Sequence, residues 1–134
     1  KDAIPLVPIG TGEREWTVSG YKRLIETGTV DVVGIDPARA EGLTGFRMVD
    51  EICGERGLTI NAHAWSTAIL TAASLQASFA SPNARLLALH TIPNVALVDL
   101  VKTPITHCDG VIHRPPGPGL GIEIDEAVVR ELEV

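Results

Sequence analysis

Apolar and polar positions alternate in two rhythms over roughly the first hundred residues, short apolar runs followed by longer stretches with helical spacing. A run at 4–9 ends in Gly10-Thr11-Gly12. Residues 16–26 then carry Val18, Tyr21, Leu24 and Ile25 at the spacing of one helix face, and Gly28 stops that helix. Residues 30–35 form a β-branched run containing Asp31, continuous enough for a strand buried on both faces. After a loop at 37–42, the spacing of Leu43, Phe46, Val49, Ile52 and Cys53 predicts a second helix over 43–56, closed by Gly57. Residues 58–61 read as a third strand and 66–79 as a third helix. The small apolar side chains of that helix (Ala68, Ile69, Leu70, Ala72, Ala73, Leu75, Ala77) predict that it lies under other protein. Pro82 breaks it, and 85–89 reads as a fourth strand.

This alternation is the signature of βα units around a parallel sheet. From Thr91 onward the rhythm changes: prolines and glycines multiply, culminating in Arg114-Pro115-Pro116-Gly117-Pro118-Gly119-Leu120-Gly121. Residues 125–132 suit a short terminal helix with Asp125 as its N-cap. The expected organisation is an α/β unit over 1–92 and an irregular tail over 93–134 that packs on another surface. Four strands with three intervening helices suit half of a (β/α)-barrel or a small open α/β sheet, and periodicity alone does not choose.

Composition narrows the function classes. The chain has 134 residues, 45% hydrophobic and 21% charged, enough for one domain with a sizeable core. Mean hydropathy is +0.20, yet no apolar run approaches the ~20 residues that span a bilayer, so no membrane partner is expected. A net charge of -6, with basic residues scattered, argues against nucleic acid as a partner. The two cysteines form no C-x-x-C pair, which leaves neither a disulfide scaffold nor a structural zinc site. Cys53, inside a helical pattern, is expected as a buried free thiol, and the expected compartment is a reducing cytoplasm. The chain starts with lysine rather than methionine, and the expectation is that it begins inside something longer.

Candidate chemistry sits where strands end. Glu13 follows the first strand, Asp36 ends the second and His63 follows the third. In parallel α/β folds the strand C-termini share one rim, so a carboxylate, a carboxylate and an imidazole should converge there. Glu13 offers hard oxygen to Mg²⁺. Asp36 could hold the Nδ1 proton of His63, leaving Nε2 as a base of defined tautomer. Taken singly, each residue has a plainer reading: a turn or N-cap aspartate, a satisfied polar histidine, a solvated glutamate beside a helix start.

The residues and their spacing resemble the C-terminal half of the enolase superfamily, in its mandelate racemase and muconate lactonizing branch, over nearly the whole chain. Gly12-Glu13 resembles the motif ending that family's fifth barrel strand, which gives the third Mg²⁺ ligand. Asp36, in Val32-Val33-Gly34-Ile35-Asp36-Pro37, resembles its sixth-strand aspartate. His63, in Asn61-Ala62-His63-Ala64-Trp65, resembles the seventh-strand histidine that pairs with it. Pro115 to Glu123 looks like the segment that returns to the capping domain.

The resemblance implies strands five to eight of a (β/α)-barrel, with a tail that packs on a capping domain. It also implies a Mg²⁺-dependent enzyme that removes the proton α to a substrate carboxylate, with His63 as base and Asp36 orienting it. Dehydration of an acid sugar is the activity expected first. A racemase or epimerase is second, and a catalytically inactive truncated module third. The implied partners are a small carboxylic acid, the N-terminal half of the barrel with its cap, and other copies in a homo-oligomer.

Two departures stand out. The family's eighth-strand glutamate aligns with Ala88, which cannot donate a hydrogen bond, and the chain has no counterpart of the second-strand lysine motif or of the first two metal ligands. Taken alone, 134 residues are therefore expected to be unstable, oligomeric through open edges, or inactive.

Other residues are secondary. Trp65 lies two residues beyond His63, either lining the pocket or packing in a core or lid. Arg14 could meet a substrate carboxylate or form a surface ion pair. His90, His107 and His113 lack metal-ligand spacing. Cys108 and His107 are adjacent and, on a strand, would point apart. Gly117, Gly119 and Gly121 read as turns.

Overall fold

The computed structural model describes residues 3–92 and 94–133. Four strands form one parallel sheet, β1 (Gly10–Thr11), β2 (Val32–Ile35), β3 (Thr59–Ala64) and β4 (Ala84–Leu89), in the order β1-β2-β3-β4. Helices α1 (Thr17–Glu26), α2 (Gly42–Glu55) and α3 (Ala68–Ala80) connect them. Strand order never reverses, which is the progression of a barrel wall; a doubly wound sheet would reverse it at a switch point.

The helices cover one face only. Val33, Ile35, Ile60 and Ala62 are fully buried against Tyr21 and Ile25 of α1 and Phe46, Val49 and Cys53 of α2. Burying each large side chain of this set contributes roughly 1.5–3 kcal/mol. The alternate residues Val32, Gly34, Thr59, Asn61 and His63 are half-buried on the opposite face. Double-sided burial of 30–35 is therefore not what forms: residues alternate between a covered and an open face. Leu86 on edge strand β4 is 67% exposed on that open side, and Asn61 Oδ1, buried there, has no hydrogen-bond partner.

The first apolar run departs further from expectation. Residues 4–8 lie before β1, with Leu6 94% exposed. Pro5 and Pro8 lack the N–H a ladder needs, and pairing with β2 starts only where Ile9 O accepts from Asp31 and Val32 N–H. Leu43, expected inward, is exposed, because α2 turns Gly45, Phe46, Val49, Asp50 and Cys53 to the core instead.

β3 runs to Ala64, three residues past its expected end. It is paired on both sides, to Ile35 through Ala62 and to Leu89 through Ala64, so His63 lies inside the strand rather than after it. A register shift opposite Ile60 and Asn61 sets His63 against Ala88.

Part of the tail does lie over α3. Gln76 Nε2 donates to Leu120 O at 3.1 Å, Leu100 and Val101 are buried, and Val101 bridges Ile124. A short helix α4 (Val95–Val98), capped by Asn94 Oδ1, packs near α3. The terminal helix α5 (Glu126–Glu131) has the expected Asp125 cap, whose carboxylate accepts from Ala127 and Val128 N–H. Among the described residues no helix is long and apolar enough to cross a membrane.

Candidate active site

Sheet register brings the dyad together. Ile35, the last residue of β2, pairs with Ala62 of β3, so the next residues on each strand, Asp36 and His63, fall side by side. His63 Nδ1 lies 2.9 Å from Asp36 Oδ2. A carboxylate only accepts, so Nδ1 carries the proton and Nε2 keeps its lone pair. The carbonyl of His63 accepts from Ser74 Oγ of α3 at 2.7 Å, which fixes the strand end that carries the ring.

Asp36 is 3% exposed, and an ionised carboxylate there needs partners. Its Oδ1 accepts from Ala38 N–H at 2.8 Å, and Arg39 Nε lies 3.8 Å from Oδ2. The backbone N–H of Asp36 donates to the Tyr21 hydroxyl oxygen at 3.0 Å. Tyr21 is fully buried, and that burial pushes its hydroxyl up to about 12. Arg39 also stacks over Trp16 at 5.1 Å and accepts Thr17 N–H at its carbonyl, which ties the loop after β2 to the start of α1.

Tyr21 and Arg39 are the supporting residues that sequence reasoning missed. Tyr21 was legible only as one position of an apolar face. Arg39 stands three residues beyond Asp36, and its N–H donates to Asp36 O at 3.0 Å, a turn that the sequence did not signal.

Glu13 reaches the same end of the sheet through two glycines. Gly12 has φ +128°, and a Cβ on it would stand 3.0 Å from Gly34 O. A Cβ on Gly34 would stand 3.3 Å from Glu13 N. Both glycines let the chain after β1 lie directly on β2, two residues from Asp36. The Glu13 side chain is exposed. It is a hard oxygen donor suited to Mg²⁺ as one ligand among several. Among the described residues no group of three or more His, Cys, Asp or Glu side chains could hold a metal ion.

Ala88, paired with His63, offers no polar side chain. Trp65 is 60% exposed within this chain and meets His90 edge-on with ring centroids 4.0 Å apart. His107, Cys108 and His113 are exposed in the tail. Cys108 sits in a turn closed by reciprocal bonds with Val111, not in a strand. Cys53 is a buried thiol pushed up to about 12, chiefly by burial.

Residues 3–128 match the enolase C-terminal domain-like family, and the chain belongs to it. A D-galactonate dehydratase of Ralstonia pickettii (strain 12J) is 32% identical over 93% of this chain and 34% of its own length. Solved structures agree. A member of the enolase superfamily from Polaromonas sp. JS666 is 31% identical with a TM-score of 0.83, over 95% of this chain and 34% of that one. A mandelate racemase subgroup enolase from Agrobacterium tumefaciens is 27% identical with a TM-score of 0.79, over 92% and 33%. The four-stranded sheet thus corresponds to the C-terminal half of that superfamily's barrel, and the chain spans about a third of the length of these relatives.

Proposed function

We propose that this chain supplies the acid–base half of an active site that dehydrates an acid sugar, with the remaining barrel strands and cap of the full-length protein completing it. The 2.9 Å contact between His63 Nδ1 and Asp36 Oδ2 carries the reading. It leaves Nε2 as the group that takes the proton α to the substrate carboxylate. Charge then moves into that carboxylate. The protonated ring, its Nδ1 still held by Asp36, returns its proton to the departing β-hydroxyl, and water leaves. The resulting enol becomes a 2-keto-3-deoxy acid. Mg²⁺, when bound, supplies a Lewis acid for the substrate carboxylate, with Glu13 as one of its ligands. The homology to a D-galactonate dehydratase supports the lyase reading.

Racemisation or epimerisation is the second reading, favoured by the mandelate racemase subgroup neighbour. It requires a second base on the opposite face of the α-carbon. Product analysis separates the two. Incubation of the full-length protein with D-galactonate and Mg²⁺ is expected to yield a 2-keto-3-deoxy acid in wild type and none in His63→Asn. An epimer in place of the keto acid overturns dehydration, and keto acid from His63→Asn overturns the assignment of His63.

A further inference from the structure

Trp65 is a large apolar side chain that the fold leaves 60% exposed. It follows β3 directly, two residues after His63, so the chain holds it within about 7 Å of the candidate base. Its position is set from both sides. Behind it, Thr67 caps α3 by accepting Leu70 N–H at 3.2 Å, which fixes where the chain leaves the strand. Beside it, His90, which follows β4, meets the indole at 75°. The His90 ring is itself held, because its Nδ1 accepts Ile92 N–H at 3.1 Å and the Nε2 of the neutral ring therefore carries the proton.

An edge-on contact occupies at most one face of an indole. Trp65 and His90 each lie two residues beyond the paired positions His63 and Ala88, so register brings both to the strand ends that carry the dyad, and Trp65 stays 60% exposed there. Aromatic faces are negative and attract the polarised C–H bonds of a carbohydrate chain, while the chain's hydroxyls keep their own partners. Ala88, opposite His63, supplies no polar group to compete for that part of the substrate.

We infer that Trp65 is a specificity-determining residue, an aromatic platform for the carbon chain of a polyhydroxy acid, with His90 as the residue that positions it. The inference rests on the proposed function and adds which part of the substrate is read. It separates two tasks: the dyad acts at the α-carbon common to every 2-hydroxy acid, and Trp65 selects for the chain beyond it.

The test compares D-galactonate with glycolate, which keeps the carboxylate and α-hydroxyl but has no carbon chain. In the full-length protein with Mg²⁺, Trp65→Ala is expected to weaken D-galactonate binding and raise its KM by roughly 5- to 10-fold, with kcat nearly unchanged. Glycolate binding should not change, and Trp65→Phe should restore most of the loss. His90→Ala, which frees the indole, should fall between wild type and Trp65→Ala. Equal weakening for both acids, failure of Trp65→Phe to rescue, or an unchanged KM in Trp65→Ala overturns the inference while His63→Asn still reports on the dyad. If wild type neither binds nor converts D-galactonate, the functional reading and this inference fall together.

Discussion

His63 Nδ1 and Asp36 Oδ2 meet at 2.9 Å because sheet register sets their strands side by side, not because a flexible loop carries one to the other. Asp36 is buried and makes three further interactions: its carboxylate accepts from Ala38 N–H and lies beside the Arg39 guanidinium, and its backbone N–H donates to the Tyr21 hydroxyl oxygen. The pair is preorganised: the ring's orientation and tautomer are fixed before substrate arrives.

Asp36→Asn keeps the shape but replaces an acceptor-only group by an amide that can donate to Nδ1, which would move the ring proton to Nε2. The expected result is a loss on the order of 10³–10⁴-fold in kcat with little change in fold, as when an orienting carboxylate is neutralised in a catalytic triad. Steady-state kinetics beside a circular dichroism spectrum checks it, and a loss below tenfold contradicts the orienting role.

Tyr21→Phe removes the acceptor of the buried Asp36 N–H and puts nothing in its place. The expected cost is about 1–3 kcal/mol of stability, read from denaturant unfolding. The same variant should slow turnover, since the strand end it anchors carries the dyad. A Tyr21→Phe protein as stable and active as wild type would show that water replaces the hydroxyl.

Gly45 is set by space. A Cβ there would stand 1.5 Å from Ala40 O, a backbone atom in the loop that follows Asp36. Gly45→Ala must push α2 away from that loop, and a loss of about 3 kcal/mol or more is expected, beyond ordinary overpacking. Thermal unfolding of the purified variant measures it.

Cys53 makes stability depend on alkaline pH. Burial raises its thiol from 9.0 to about 12, so the folded state holds the proton more tightly than the unfolded chain. This contribution is intact below pH 9 and is lost progressively as pH rises from 9 toward 12. Between pH 8 and pH 10 the unfolding free energy should fall by about 1 kcal/mol more in wild type than in Cys53→Ala. Alkylation at pH 8 followed by peptide mapping should label exposed Cys108 and spare Cys53 until the protein is unfolded.

Glu13→Gln tests the metal assignment apart from catalysis. Calorimetric titration with Mg²⁺ is expected to show affinity reduced by roughly 100-fold, more than the usual loss of an outer partner. Unchanged affinity removes Glu13 from the ligand set.

Much of this architecture was legible because helices α1 to α3 bury faces with regular spacing and parallel strands need apolar runs. Asp36 and His63 could be picked out as strand-end polar residues. Their contact is a matter of register, which a one-dimensional pattern does not carry. The start of β1 was obscured by residues 4–8, apolar in composition yet unable to pair through Pro5 and Pro8. The end of β3 was hidden because Asn61 and His63 look like loop residues; they are tolerated in a strand with one open face. Arg39 and Tyr21 were out of reach for the same reason as the dyad's geometry, since their roles exist only once the loop after β2 folds back on α1. Helix α4, four residues long, offered no period to detect and only Asn94 as a cap.

In the proposed reaction His63 Nε2 takes the proton α to a carboxylate. The most direct measurement is exchange of the D-galactonate α-proton for deuterium, followed by NMR in D₂O with the full-length protein and Mg²⁺. Wild type should either return substrate deuterated at the α-carbon or convert it to a keto acid that carries deuterium at C3, and His63→Asn should do neither. Exchange that persists in His63→Asn, or a wild-type protein that leaves the α-proton of every acid sugar tested in place, would contradict the account.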